Sequence, residues 1–454
     1  MIFLVKNSVL ISGVDKDLMQ KLVNELTIMN PLFQRYLEMS IPTWNVKSKL
    51  TYFKIHSKES IEIPIGAFIL FLNSKLLTAN KEDIIDKRLE VNMPELFSNV
   101  EFKGKLRSYQ EKIVNACSDK TVGVIQSPTG SGKTLTFTKL IVDKKVPTLI
   151  LVNTIELANQ TIAAISRNTN IPEDQIGMIG QGKFNVKPIT VALHQTMSRL
   201  TEEHFELFND LFSMIICDET HIIAADTFYD TISKLNAKYK YGFSATPERD
   251  DGLTKVINFA NGPVICTVTL DEVEEHIIRP QFEFKITNYF FPLISTQDYQ
   301  AMISDLSADK DRNAFIADEL KKNFSENYCV LLCARKEQTE SLKELLGDEA
   351  VVLTSDTPKK LRLQAIKDLN EKKVRHVIST YGLFSTGIDI PHLDTLFFCA
   401  PIKSTIKVKQ SIGRIMRPSS GKEKAIVVDF VDQRVELLAY QAKTRKRIYM
   451  EYKK

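Results

Sequence analysis

The chain has 454 residues, and at roughly 100 to 200 residues per domain that length predicts about three domains rather than one. Hydrophobic residues make up 43% and charged residues 26%, ordinary globular usage that excludes a disordered or collagen-like polymer. The 60 basic and 56 acidic residues leave a net charge of only +4, so any basic binding site must be local.

The six cysteines, Cys117, Cys217, Cys266, Cys329, Cys333 and Cys399, include no CxxC pair, and the seven histidines show none of the usual zinc spacings. They read as reduced thiols without a zinc site. The start, MIFLVKNSVLISG, breaks its apolar run at Lys6 and has neither the basic start nor the small-residue cleavage site of a signal peptide. The densest apolar run, Ala67 to Leu72, is far short of the roughly 18 to 20 residues that span a bilayer. The expectation is a soluble cytoplasmic protein with no membrane partner.

Residues 1–98 mix apolar strand-like runs with an amphipathic stretch from Asp15 to Met29, in which Leu18, Leu22, Leu26 and Met29 recur at helical spacing. That predicts a small α+β module. Within it, Arg35 to Lys58 holds Arg35, Lys47, Lys49, Lys54 and Lys58 against Glu38, with Tyr36, Trp44, Tyr52 and Phe53 between. Such interleaving suits a DNA-binding surface, although the aromatics also suit a small core. From Val122 onward come the short apolar runs TVGVIQ, VPTLILVN, ITVALHQ, MIICDE and YGFSAT, separated by stretches long enough for helices. Continuous apolar character predicts parallel strands covered on both faces. This α/β domain is expected to end near Pro263, with a charged connection to Arg279-Pro280. A second series follows: NYCVLLCAR, AVVLTS, VRHVIST, TLFFCAP and KAIVVDF. The expected divisions are 1–98, 99–279 and 280–454. The last stretch, KTRKRIYMEYKK from Lys443, interleaves six basic residues with Tyr449 and Tyr452, and fits a phosphate-binding tail or a merely solvated one.

After the VGVIQ run stands SPTGSGKT, Ser127 to Thr134, followed by a helix-compatible stretch. A strand, a glycine-rich loop and a helix make a phosphate cradle. Gly130 and Gly132 let backbone N–H groups turn toward anionic oxygens, between Ser127, Thr129 and Ser131, and the positive helix end adds to the field. Lys133 can reach β and γ phosphates, and the Thr134 hydroxyl can complete the shell of a magnesium ion. The alternative is an ordinary turn; the usual first glycine is Ser127 here. The partner acid belongs at the end of a neighbouring strand, where MIICDETH places Asp218, to hold magnesium, and Glu219, to take a proton from the water attacking the γ phosphate. Taken alone, such a pair is as readily a solvated strand end.

The series SPTGSGKT, DETH, SAT (Ser244 to Thr246) and QSIGRIMR (Gln410 to Arg417), in that order across two α/β domains, resembles the motifs of superfamily 2 helicases of the DExH type over about Lys105 to Asp429. GFSATPERDDG resembles the branch containing XPB and the UvsW-like branch-migration helicases of tailed phages, the nearest match. MNPLFQRYLE and IPIGAF resemble the accessory domain of such phage proteins. The resemblance implies an α/β architecture of two tandem RecA-like parallel-sheet motor domains preceded by a small α+β accessory domain. It implies an ATP-hydrolysing DNA helicase, with ATP and Mg2+, acting on branched or forked DNA in recombination, repair or replication. The location is cytoplasmic, the host's cytoplasm for a phage-encoded chain.

Carried over residue by residue, it puts Gln110 on adenine with Arg107 nearby, and supports the roles of Lys133, Thr134, Asp218 and Glu219. His221, Ser244, Thr246 and Gln410 would couple nucleotide state to nucleic-acid grip, and Gly387 and Asp389 would link the two. Arg414 and Arg417, three apart on a predicted helix, share a face and would be arginine fingers for the γ phosphate. A basic helix face is the bland alternative. Thr154, His194, Gln195, Arg335, Ser379 and Thr380, at predicted strand ends, would contact the DNA backbone, and Arg249 with Asp250 and Asp251 would stand where relatives open strands. Two departures are Asn153 where relatives have proline, and Thr220 where Ala or Cys is common. An RNA-remodelling helicase, a restriction-system motor with separate partner chains, and a nucleotide-switched adaptor or partner-dependent ATPase are the alternatives. Protein partners are not legible.

Overall fold

In the computed structural model of the chain, residues 1–91, 97–220, 225–245, 252–292, 298–387 and 390–452 are described, and every count below is of those residues. They divide into two compact units, Met1–Ser127 with Gly132–Val268, and Thr269–Lys454 with Pro128–Ser131.

The first unit opens with β1 (Ile2–Val5), β2 (Ser8–Ser12), β3 (Thr27–Met29), β4 (Lys49–Thr51), β5 (Lys54–Ser57), β6 (Ser60–Pro64) and β7 (Ile84–Asp86). Five of these form a sheet in the order β5-β6-β2-β1-β7, and β3 pairs with β4 as a separate antiparallel ribbon. Alternation sets the buried face: Val9 and Ile11 of β2 and Ile61 and Ile63 of β6 lie inside. The amphipathic stretch is helical over Lys16–Glu25, capped by Asp15, whose Oδ1 accepts from Leu18 N at 2.8 Å. It ends earlier than the predicted Met29. Thr27 and Ile28, β-branched and partnered by Thr51 and Leu50, continue as strand instead.

The apolar run Ala67 to Leu72 lies in the helix Ile65–Asn73. A Cβ at Gly66 would stand 2.0 Å from Asn258 O and 2.6 Å from Gly262 N, so only glycine lets this helix meet the helix Thr254–Asn261. The core of residues 1–98 correspondingly takes in Val122, Val256 and Phe259. It is continuous with the α/β layer that follows.

That layer holds β8 (Val122–Gln126), β9 (Thr148–Val152), β10 (Gly177–Gly180), β11 (Lys183–Asn185), β12 (Ile189–Leu193), β13 (Met214–Asp218), β14 (Tyr239–Ser244) and β15 (Val264–Thr267). The order is β11-β10-β12-β9-β13-β14-β8-β15, parallel apart from the β10–β11 hairpin. The five apolar runs read from sequence are β8, β9, β12, β13 and β14. The others lacked a signal: β10 is Gly-Met-Ile-Gly, β11 is exposed, and β15 lies beyond Pro263, so this sheet runs past the expected end of the domain.

The second unit holds β16 (Pro280–Ile286), β17 (Cys329–Cys333), β18 (Ala350–Leu353), β19 (His376–Thr380), β20 (Thr395–Phe398) and β21 (Ala425–Val431). They form a fully parallel sheet, β16-β21-β20-β17-β19-β18. Only β16 was missed by the sequence; it is an edge strand carrying Gln281, Glu283 and Lys285. The terminal helix Glu436–Met450 takes part of the stretch read as a basic, solvated or phosphate-binding tail into the core, and leaves Lys443, Lys446 and Arg447 exposed. Arg445 grips the buried Asp429 with both Nε (2.9 Å) and Nη2 (2.8 Å), the Tyr449 hydroxyl donates to the same carboxylate at 2.8 Å, and Tyr452 is buried. Burial sets that fate: Arg445, Ile448 and Tyr449 lie on the buried face of the helix, and Tyr452 follows just past its end. No helix among the described residues is long and apolar enough to cross a membrane.

Candidate functional site

Strands of a parallel sheet all end on one side, and the loops that follow them gather there. In the first unit, Ser127, Thr154, His194, Asp218 and Ser244 all lie at the carboxyl ends of β8, β9, β12, β13 and β14. Ser127 N donates to Ser244 O at 2.9 Å, which ties the start of the phosphate loop to the SAT motif. Gly130 (φ +87°) and Gly132 (φ +75°) adopt the left-handed backbone that other residues resist. A Cβ on Gly132 would also stand 2.7 Å from Gln110 Nε2. The chain then enters the helix Lys133–Lys144, whose N-terminus opens on the loop and favours anions. Thr129 and Ser131 complete the loop, with Ser131 N donating to Pro128 O at 3.2 Å, and Thr134 occupies the first helical turn.

Lys133 Nζ donates to Glu219 Oε1, and both side chains are largely buried. Glu219 has φ +52°, a left-handed conformation rare for a residue with a side chain. The bend turns Asp218 and Glu219 in different directions at the end of β13. It is held from both sides, by Asn153 Nδ2 donating to Glu219 O at 3.4 Å and by Thr220 N donating to Phe243 O at 3.3 Å. Asn153, noted from sequence only as a departure, is therefore a clamp on the acidic turn; an amide just past a strand end was the available signal.

Asp218 is buried, and its Oδ1 has no hydrogen-bond partner among the described residues. Burial raises its carboxyl to about 6 against the pull of Lys133, with Glu219 pushing the same way as burial. An orphaned carboxylate oxygen is costly unless a cation completes it. With the Thr134 hydroxyl, it is a hard-oxygen donor set, and no cluster of three or more His, Cys, Asp or Glu side chains stands ready to cage a metal among the described residues. This fits Mg2+, which binds through one or two protein oxygens and keeps water and phosphate in its shell.

Gln110 is buried beside the loop at the start of the helix Ser108–Asp119: its Oε1 accepts from Arg107 N at 3.0 Å, and its Nε2 lies 3.5 Å from Gly132 O. Arg107 Nη1 donates to the Tyr109 hydroxyl at 2.8 Å. His221, Thr246, Arg249 and Asp389 lie outside the described residues.

The expected backbone contacts of the two sheets are placed as follows. His194 is buried and stacked on Phe228 (5.9 Å), with burial pulling its imidazole down to about 4, so it is a core residue rather than a surface contact. Ser379 is likewise buried, its hydroxyl donating to Leu353 O at 2.8 Å. The Thr154 side chain caps the helix Ile155–Asn168, accepting from Leu157 N at 3.2 Å. Gln195 is exposed, Thr380 is half-buried at the end of β19, and Arg335 Nη2 donates to Gln300 Oε1 at 2.5 Å.

In the second unit Gln410 and Arg414 lie on the helix Thr405–Ile415, and the Arg414 guanidinium sits 5.5 Å over the Phe384 ring. Arg417 falls beyond the helix end, so the argument that it shares a helical face with Arg414 does not hold. Its carbonyl accepts from Lys422 Nζ at 2.8 Å. Gly387 closes the helix Tyr381–Gly387.

Residues 103–249 match the family described as type III restriction enzyme, res subunit, and residues 311–419 match the helicase conserved C-terminal domain. The chain is 29% identical over 432 residues to "Putative ATP-dependent RNA helicase L396" of Acanthamoeba polyphaga mimivirus, covering 90% of this chain and 81% of that protein. It is 24% identical over 400 residues to the DNA 3'-5' translocase XPB2 of Sulfurisphaera tokodaii, covering 77% and 86%. Among solved structures, S. cerevisiae Dbp5 bound to RNA and ADP BeF3 is similar with a TM-score of 0.56 at 16% identity, over 76% of this chain and 88% of that one, a likeness of fold alone. With its phosphate loop, its acidic strand end and two parallel-sheet RecA-like layers in the family's order, the chain is an ATP-hydrolysing helicase of superfamily 2, of the XPB-like type.

Proposed function

We propose that the chain is an ATP-driven DNA translocase that remodels branched DNA, forks and four-way junctions, in recombination, repair or replication. The carrying observation is the pairing of Lys133 with Glu219 beside a buried Asp218 oxygen that lacks a donor. Nucleotide chemistry follows from it. Lys133 exchanges Glu219 for the γ phosphate, and Glu219, so released, accepts the proton of the attacking water. Asp218 and Thr134 would hold Mg2+, which would supply positive charge against the phosphates. Gly130, Gly132 and the loop around them receive the phosphates, and Gln110 and Arg107 the base. Arg414 and Arg417 supply further positive charge, while Ser244, Gln410, His221, Thr246, Gly387 and Asp389 pass nucleotide state to the grip on nucleic acid. Residues 1–98 act as the accessory domain, 99–279 and 280–454 as the motor.

DNA is favoured by the relative named a DNA 3'-5' translocase. RNA is the second reading, because another relative carries the name of an RNA helicase. The test is steady-state ATP hydrolysis at one salt concentration with no nucleic acid, single-stranded DNA, duplex, fork, four-way junction and RNA. Stimulation by forks and junctions with strand displacement supports the proposal; stimulation by RNA alone replaces it. Lys133→Ala abolishes turnover, and normal hydrolysis in that variant would remove the phosphate-loop assignment. Glu219→Gln binds ATP yet hydrolyses it at least about a hundredfold more slowly.

A further inference from the structure

The β3–β4 ribbon encloses a segment that the core of the first unit does not use. The helix Pro31–Glu38 has no buried residue. Around it Met29, Leu32, Leu37, Met39 and Ile41 are 37–58% exposed, and Trp44, the chain's one tryptophan, is 88% exposed. Scattered exposed apolar residues are normal, but a run of them in one segment marks a binding surface. The segment is built rather than loose. Asn30 N donates to Ser48 O at 3.0 Å, Asn30 Nδ2 to Lys47 O at 2.8 Å, and Asn30 Oδ1 accepts from Leu32 N at 3.0 Å. Further in, Ile41 N donates to Tyr36 O at 2.8 Å and Val46 N to Thr43 O at 3.0 Å.

Charge says what such a surface would take. Arg35, Lys47 and Lys49 are exposed, and none of them is ion-paired among the described residues; Glu38 is the single acid between Asn30 and Thr51. The structure also sorts the aromatics of this region. Tyr52 is 6% exposed, packed edge-on against Tyr229 (4.9 Å) and Phe259 (5.7 Å), and is closed to a ligand, while the half-buried Phe53 leans on the same core. Trp44 is open to one.

We propose that Asn30 to Lys49 is a second nucleic-acid contact, in which Trp44 stacks on a base of an unpaired strand and Arg35, Lys47 and Lys49 hold neighbouring phosphates. An indole face accepts any base, which suits a motor without sequence preference. A protein-docking patch of this apolarity would be poor in lysine; this one carries two. The inference rests on the helicase reading and adds to it a hold on the strand left unpaired at a branch.

Because Trp44 is the sole tryptophan, its fluorescence in the full chain reports the contact directly. Without ATP, a single-stranded oligonucleotide or a fork quenches it, and a blunt duplex does so far less. Trp44→Ala weakens fork binding about tenfold and leaves the ATP turnover rate at saturating DNA unchanged. Lys47→Ala and Lys49→Ala each lower the slope of log affinity against log salt by about 0.7. Unmoved fluorescence and wild-type affinity in Trp44→Ala, with DNA still stimulating hydrolysis, overturn this contact and spare the helicase reading. No stimulation by any nucleic acid overturns the helicase reading instead. Loss of self-association in Trp44→Ala with nucleic-acid affinity intact makes the patch a protein interface and overturns the proposal as well.

Discussion

Two segments of this chain are alike in composition and opposite in structure. Arg35 to Lys58 and Lys443 to Tyr452 both string basic residues between aromatics. In the second, Tyr449 is 1% exposed and Arg445 is locked on Asp429; in the first, Trp44 stands in solvent and Arg35, Lys47 and Lys49 have no ion pair among the described residues. The difference comes from what lies opposite. A helix beside the sheet finds an aspartate at the fifth position of β21, and the pair neutralises what would otherwise be a prohibitive burial. The ribbon around Trp44 has no such acid and no layer above it among the described residues. Composition names the chemistry a segment can do, and its neighbours decide whether that chemistry faces inward or outward.

Arg445→Ala tests the inward case hardest. Removing one member of a buried pair strands the other, so the variant loses about 3–5 kcal/mol in urea unfolding. A loss under about 1 kcal/mol would return the helix to the solvated tail that its sequence allows. Tyr449→Phe keeps the ring against Phe282 (4.5 Å) and removes one donor from Asp429. It costs roughly 1.5–3 kcal/mol, the range for a hydrogen bond to a charged group.

Lys240 is a third kind of cation, buried without a carboxylate partner among the described residues, its Nζ donating to Ile232 O at 3.3 Å. Burial, with Arg88 adding repulsion, pulls its ammonium from 10.5 down to about 7. Below pH 7 folded and unfolded chains both carry the charge, and the fold bears its full burial cost; the cost fades as pH rises from 7 toward 10.5. Lys240→Met therefore stabilises the protein by at least about 1 kcal/mol at pH 7, and the gain shrinks toward pH 10. A gain independent of pH would mean that the folded chain holds the amine's proton as tightly as the unfolded chain does.

The same reasoning separates what the residues disclosed from what they withheld. The central strands of both sheets were legible because continuous apolar runs are what strands covered on two faces require. β10 and β16 were not, since a glycine-bounded tetrapeptide and an edge strand carrying Glu283 and Lys285 look like connections. The loop SPTGSGKT and the pair Asp218 and Glu219 were legible as chemistry. Three things about them depend on other strands and were not: the left-handed turn at Glu219, its Asn153 clamp, and the tie from Ser127 to Ser244. The inward turn of His194 and Ser379 was withheld for the same reason, because a polar residue at a strand end can stack on a core ring, as His194 does, or bond a core carbonyl, as Ser379 does. The shared helical face of Arg414 and Arg417 failed through helix length, because Arg417 lies one residue past a cap that spacing alone does not reveal.

The smallest effect is the sharpest test of the outward case. Lys47 contributes its carbonyl to the ribbon, accepting from Asn30 Nδ2, while its side chain is exposed and pairs with no acid among the described residues. Lys47→Ala preserves that carbonyl and so changes stability by less than about 0.5 kcal/mol. Asn30→Ala, which removes both the clamp and the cap on the helix Pro31–Glu38, costs about 1 kcal/mol. Measured side by side in urea, the two variants separate the scaffold of the segment from its face. A loss of 2 kcal/mol in Lys47→Ala would show that its ammonium is anchored within the fold, as Arg445 is, and is not held out for a phosphate.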